Sequence, residues 1–203
     1  RGNNQWWARD GSLTFSLRLM PADFSVVHKK WPLVSLTTAI AVADMLAEFA
    51  PHQTVGLKWP NDVFMNGRKI CGILVEPPKG SISELVIGVG INVANSLSKA
   101  PQEVRKIATS IVDETDNEFS PSDVLLKFLQ HFETLIRHLG SESLNLSERW
   151  QQQCTLTGHQ ISIESGDRQI AGLCRGISDT GAINVETDGV TRPWYGGIVR
   201  RIK

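Results

Sequence analysis

Asn66-Gly67 sits between two β-prone runs, Asp62-Val63-Phe64-Met65 and Arg68-Lys69-Ile70-Cys71, inside the segment KWPNDVFMNGRKICGILVE at residues 58–76. This residue pair is the strongest short-range signal for a two-residue type I′ turn, because both central positions need positive φ. The spacing predicts a β-hairpin in which Met65 faces Arg68, Phe64 faces Lys69, Val63 faces Ile70 and Asp62 faces Cys71. Alternation along each strand then puts Asp62, Phe64, Lys69 and Cys71 on one face. Asp62 and Lys69 become diagonal neighbours, roughly 7–8 Å apart at the backbone, close enough to act together on a bound anion or metal–anion pair. A surface ion pair on a solvated hairpin is the alternative reading of the same charges.

A chain of 203 residues that is 41% hydrophobic can bury one sizeable core and a small second one. One main domain with a satellite is expected. Lysine plus arginine balance aspartate plus glutamate at 21 each, so charge gives no support to DNA binding or to an anionic-membrane surface, and local sites must supply any phosphate affinity. The three cysteines, at 71, 154 and 174, are odd in number and lack CxxC spacing. They argue against a disulfide framework or a cysteine-rich zinc site and fit a reducing cytoplasm. Residues 33–50 form the longest apolar stretch, but Ser35, two threonines, Asp44 and Glu48 make it too polar to be read as a membrane span. The sequence opens on Arg1 rather than methionine, and a further segment upstream is expected.

Residues 12–19 (SLTFSLRL) alternate apolar and polar side chains and predict a half-buried strand. Trp31-Pro32 opens a helix through Phe49. Residues 55–58 form a short strand leading into the hairpin, and the nearly continuous apolar run at 84–93 (ELVIGVGINV) predicts a buried central strand. Residues 101–139 read as helical with a break at 116–121, where Ser120 is the N-cap and Pro121 the first position. Leu125, Phe128, Leu129, Phe132, Leu135, Ile136 and Leu139 recur at helical spacing as its buried stripe. Trp31 and Trp150 are read as helix-boundary residues. Beyond residues 150–156, strands at 160–165, 168–175, 182–187 and 190–194 are separated by turn chemistry, which suits a small SH3-like barrel.

Gly88-x-Gly90-x-Asn92 lacks the third glycine and following helix of a dinucleotide fingerprint. Glycine inside a buried strand weakens it and marks close approach of a ligand or of another backbone. Gly72, Gly88 and Gly90 are therefore candidates for ligand approach, with tight helix packing as the alternative. Asn92 is either a polar anchor at the strand end or a plain turn residue. Trp6-Trp7, after the polar run at 1–5, reads as the aromatic edge of a closing loop or as core anchors. The histidines, at 28, 52, 131, 138 and 159, show no HxH or HExxH spacing, and no GxSxG element is present, so zinc and covalent-nucleophile chemistry are disfavoured.

Five blocks in order resemble biotin protein ligase. Lys58-Trp59-Pro60-Asn61-Asp62 is similar to the family's KWPND block, and Arg68-Lys69 followed by Cys71-Gly72-Ile73-Leu74-Val75-Glu76 to its RK-x-x-GILVE block. Residues 88–93 resemble GxGINV, Ala108-Thr109-Ser110 the ATS element, and Arg192-Pro193-Trp194-Tyr195-Gly196-Gly197 the closing barrel strand. The resemblance implies an α+β fold: a mixed β-sheet with packed helices, shared with class II aminoacyl-tRNA synthetases, over residues 1–152, and the SH3-like barrel over 153–203. It implies a two-step reaction in which biotin and ATP, with Mg2+, give biotinyl-5′-AMP and pyrophosphate, and a lysine of a biotin carboxyl carrier protein then takes the biotin. A lipoate ligase or octanoyltransferase, and a non-catalytic carrier-binding module, are the competing readings. A homodimer is left open.

By the same resemblance Lys69 is the catalytic residue, contacting the biotin carboxylate and the α-phosphate. Asp62 would hold magnesium or orient Lys69, Lys58 would reach phosphate, and Asn61, with the rest of its block, would line the adenylate site. Gly72, Gly88 and Gly90 would let the ligand lie against backbone, and Asn92 would bind near the nucleotide. Arg1, Gly2 and Trp6 match the second half of the family's GRGRxGxxW loop over the adenylate. That loop's first arginine and the preceding serine and threonine segment have no counterpart, a loss of roughly 1–3 kcal/mol for each unmade ureido hydrogen bond. The family's closing GGE reads Gly196-Gly197-Ile198.

Overall fold

The computed structural model describes residues 10–115 and 117–202; Arg1, Gly2, Trp6 and Trp7 lie outside the described residues. Strand β1 spans Ser12–Leu19, β2 Val55–Lys58, β3 Asp62–Met65, β4 Arg68–Glu76 and β5 Leu85–Asn92. They form one sheet in the order β1-β5-β4-β3-β2, with every named pairing antiparallel. The parallel contacts expected of a mixed sheet are confined, among the described residues, to isolated bridges between Leu57 and Cys154 and between Lys69 and Ala108.

One face of this sheet is apolar because strand alternation puts Val63, Met65, Ile73, Ile87, Val89 and Ile91 there, all buried. Helix α1, Trp31–Phe49, lies in the same core through Leu36, Ile40, Met45 and Leu46. By length and composition alone, residues 28–49 would pass for a membrane span, contrary to the reading from their polar residues; 67% of the apolar 18-residue window within them is buried inside the protein. Its charges are spent on neighbours: Asp44 on Arg149, Glu48 on Lys127 and His131.

The helical stretch after residue 101 is broken sooner than expected. Short helices α2, Gln102–Ile107, and α3, Ile111–Thr115, are separated by residues 108–110, where the backbone of Ala108 turns aside to bridge Lys69. Helix α4, Pro121–Gly140, starts as predicted, with the Ser120 hydroxyl accepting from the Ser122 N–H. Phe128, Phe132, Leu135, Ile136 and Leu139 are buried along it, joined by Val124, while Leu125 and Leu129 are only partly covered. A further helix, α5, Leu146–Gln153, was not legible in its glutamine-rich sequence; Trp150 lies within it, fully buried, rather than at its boundary.

The carboxy-terminal sheet has the order β10-β6-β7-β8-β9. Its strands are β6 Gln160–Ser165, β7 Arg168–Ile177, β8 Ile183–Thr187, β9 Val190–Trp194 and β10 Ile198–Arg201, the last absent from the sequence reading. The Trp59 indole donates to the Gly181 carbonyl at 2.9 Å, and the Thr155 N–H to the Leu57 carbonyl at 2.9 Å. Buried side chains of both sheets belong to one continuous core.

Candidate active site

The turn at the hairpin tip forms as the sequence dictates, with Asn66 at φ 48° and Gly67 at φ 78°. The register beyond it is corrected. Phe64 faces Lys69, but Val63 then faces Cys71 and Asp62 faces Gly72, because a β-bulge inserts Ile70 as an extra residue. Strict alternation would expose either Ile70 or Cys71, whereas the bulge lets both side chains enter the core, where both are fully buried. Cys71 is therefore not on the Lys69 face. Burial, with Asp62 nearby, pushes its thiol far above the ordinary range and leaves it inert at neutral pH.

The same bulge brings Gly72 onto the outer face. The pairings Lys58 with Asp62, Asp62 with Gly72, Gly72 with Gly90 and Gly90 with Thr14 form one row across all five strands. Gly88, between Leu74 and Ser16, lies on the same face one step along. Among the described residues a Cβ at Gly88 would meet only Leu74 atoms, at 3.8 and 3.9 Å, so no described helix packs there. Thr14 and Ser16, exposed on this face, were missed by sequence reasoning; alternation in β1 was the signal that could have found them.

Beside the row the Lys69 ammonium lies 2.5 Å from Asp62 Oδ1, with the side chains 34% and 24% exposed. Lys58 Nζ stands over the Phe64 ring, 5.7 Å from its centroid. This places two ammonium groups and one carboxylate beside Gly72, Gly88 and Gly90 on the sheet face opposite the core. The arrangement suits an elongated anionic ligand lying along the strands.

The two asparagines are engaged within the protein. Asn61 Nδ2 donates to the Ile73 carbonyl at 2.6 Å, and the Ile73 N–H donates back to the Asn61 carbonyl. Asn92 is buried, donating to the Thr109 carbonyl at 2.8 Å and accepting from Asn95 Nδ2 at 3.0 Å. Its side chain braces the loop after α2 from the end of β5. Thr109 in turn donates its N–H to the Lys69 carbonyl at 2.9 Å and its hydroxyl to Glu114 at 2.6 Å. Two clefts, of about 420 Å³ beside Lys30 and Asn145 and about 540 Å³ beside Trp31 and Ile82, are not lined by Lys58, Asp62 or Lys69.

Residues 1–92 match the Biotin/lipoate A/B protein ligase family and residues 157–200 the Biotin protein ligase C terminal domain. The chain is 31% identical over 175 residues to the Bifunctional ligase/repressor BirA of Escherichia coli strain K12, covering 81% of this chain and 51% of that protein. It is 29% identical over 188 residues to the Biotin--[acetyl-CoA-carboxylase] ligase of Mycobacterium tuberculosis, covering 91% and 68%. The chain thus spans about half the length of the BirA relative. The solved biotin protein ligase from Aquifex aeolicus in complex with biotin and ATP superposes with a TM-score of 0.82 at 25% identity, covering 98% of this chain and 82% of that one. Both family matches, in this order, and a shared architecture over nearly its whole length show that the chain belongs to the biotin protein ligase family.

Proposed function

We propose that this chain is an ATP-dependent biotin protein ligase, with residues 1–152 as its catalytic domain and 153–203 as its barrel. The observation that carries the reading is the Lys69–Asp62 pair beside a glycine-floored row, in a chain whose Aquifex aeolicus neighbour was solved with biotin and ATP. In the first step a biotin carboxylate oxygen bonds to the α-phosphorus of ATP and pyrophosphate leaves. In the second, a carrier lysine amine attacks the acyl carbonyl, loses a proton and displaces AMP.

Both steps crowd negative charge onto phosphate oxygens, so positioning and electrostatics dominate. Lys69 would bridge the biotin carboxylate and the α-phosphate, with Asp62, 2.5 Å from its ammonium, fixing its direction. Lys58 adds a second cation for phosphate. Gly72, Gly88 and Gly90 let the ligand lie on the strand backbone, and Asn61 and Asn92 hold the floor and rim of that surface. Magnesium, when bound, would neutralise nucleotide phosphates. No group of three or more metal-binding side chains occurs among the described residues, and Asp62 fits an ion held largely by phosphates and water. Arg1, Gly2 and Trp6 would cover the adenylate.

The acceptor would be a biotin carboxyl carrier protein. The three free cysteines suit a reducing cytoplasm, and pairing between sheet edges would give a homodimer. The test is pyrophosphate release from ATP with biotin or lipoate as the acid. Biotin-dependent release is expected. Lipoate-dependent release would overturn the substrate, and silence with both would overturn catalysis in favour of a carrier-binding module.

A further inference from the structure

Glu114 lies 45 residues along the chain from Lys69, yet three donors converge on its carboxylate. Oε1 accepts from the Thr109 hydroxyl at 2.6 Å and from Arg68 Nη2 at 2.7 Å, and Oε2 accepts from Asn66 Nδ2 at 2.7 Å. Its own carbonyl accepts from Gln53 Nε2 at 2.9 Å. The side chain is 7% exposed. Asn66 and Arg68 are residues of the hairpin tip, immediately before Lys69. Thr109 belongs to the segment that pairs with Lys69 from the far side, through its N–H to the Lys69 carbonyl and the adjoining Ala108 bridge.

We propose that Glu114 is a positioning residue for Lys69. It ties the residue preceding Lys69 to the segment paired with Lys69, so that the lysine backbone is clamped from both sides. The inference rests on the role given to Lys69 above. A carboxylate is the group this junction requires, since it must accept from a guanidinium, a hydroxyl and an amide at once and has no donor of its own. Glutamine has nearly the same shape but would turn an NH2 toward one of those donors. With so little solvent access, one unmatched contact loosens the whole cluster.

Glu114→Gln in the 203-residue chain is read in two ways. Native-state hydrogen exchange is expected to speed up tenfold or more at the Thr109 amide, while Val185 in the carboxy-terminal sheet stays unchanged. Biotin-dependent pyrophosphate release is expected to lose tenfold or more in kcat, with KM for ATP and biotin within twofold. Thr109→Val, which removes one donor and keeps the volume, is expected to shift both readouts the same way by a smaller factor. Asp44→Asn, which breaks the distant pair with Arg149, is expected to move neither. Unchanged Thr109 exchange in both cluster variants, or a uniform speed-up across both sheets, would overturn the proposal. An unsubstituted chain silent in the pyrophosphate assay would sink the ligase reading, while the exchange measurement would still decide whether Glu114 holds the clamp.

Discussion

Lys69 Nζ meets Asp62 Oδ1 at 2.5 Å although a bulge displaces their strands by one residue from the simple hairpin register. The bulge falls between them and brings Gly72 opposite Asp62, so the ion pair and the glycine floor arise from a single irregularity.

Lys69→Ala should lower biotin-dependent pyrophosphate release by about a hundredfold or more, the equivalent of about 3 kcal/mol for one lost oxyanion donor. Asp62→Asn, which keeps the ammonium but frees it, should cost about tenfold. Partly exposed ion pairs contribute only about 0–1 kcal/mol to folding, so both variants should melt near the unsubstituted chain. Full adenylation by Lys69→Ala would remove that lysine from the mechanism.

Gly88→Ala separates ligand approach from helix packing. A methyl group there makes only ordinary contacts with the described residues, and the substitution should stabilise the chain by about 0.4–1 kcal/mol in urea unfolding through reduced unfolded-state entropy. The same methyl would stand on the ligand face, raising KM for biotin several-fold. An unchanged KM would show that nothing approaches this glycine.

Gly140 has the opposite character. A Cβ built there would lie 1.7 Å from the Phe24 carbonyl oxygen, backbone that cannot swing aside. Gly140→Ala should destabilise the chain by about 2–3 kcal/mol in urea unfolding, the upper range for overpacking. A loss below about 0.5 kcal/mol would mean that the α4 terminus is not held against this loop.

Three carboxyls sit below their ordinary value of 4.5: Glu48 through hydrogen bonds from Lys127 and His131, Glu142 through Lys30, and Glu186 through Arg175. A depressed folded-state pKa gives stability that is fully present above 4.5 and is lost as pH falls through the lowered values. Urea midpoints should therefore decline as pH drops below 4.5, and Glu48→Gln should shallow that decline. An identical slope in the variant would show that this carboxyl is not held by its neighbours.

The legible parts were those governed by neighbouring residues. Strand β1, helix α1, the cap at Ser120 and the Asn66-Gly67 turn follow from a two-residue or 3.6-residue period and from local φ preferences. Helix α5 was missed because its sequence, LSERWQQQ, carries only Leu146 and Trp150 as buried anchors, and β10 because it exists by pairing with β6. Glu114 was missed because its partners Asn66 and Arg68 lie 48 and 46 residues away.

The sequence by itself determined the hairpin turn, the ordered family blocks and the presence of Lys69 and Asp62 near one another. Tertiary structure alone decided the bulge at Ile70, the burial of Cys71, the glycine row and the Glu114 clamp. The reason is the range of the forces. Turn geometry is settled within four residues, whereas the strand register is set only when β5 pairs with β4 and the core accepts Ile70 and Cys71 together.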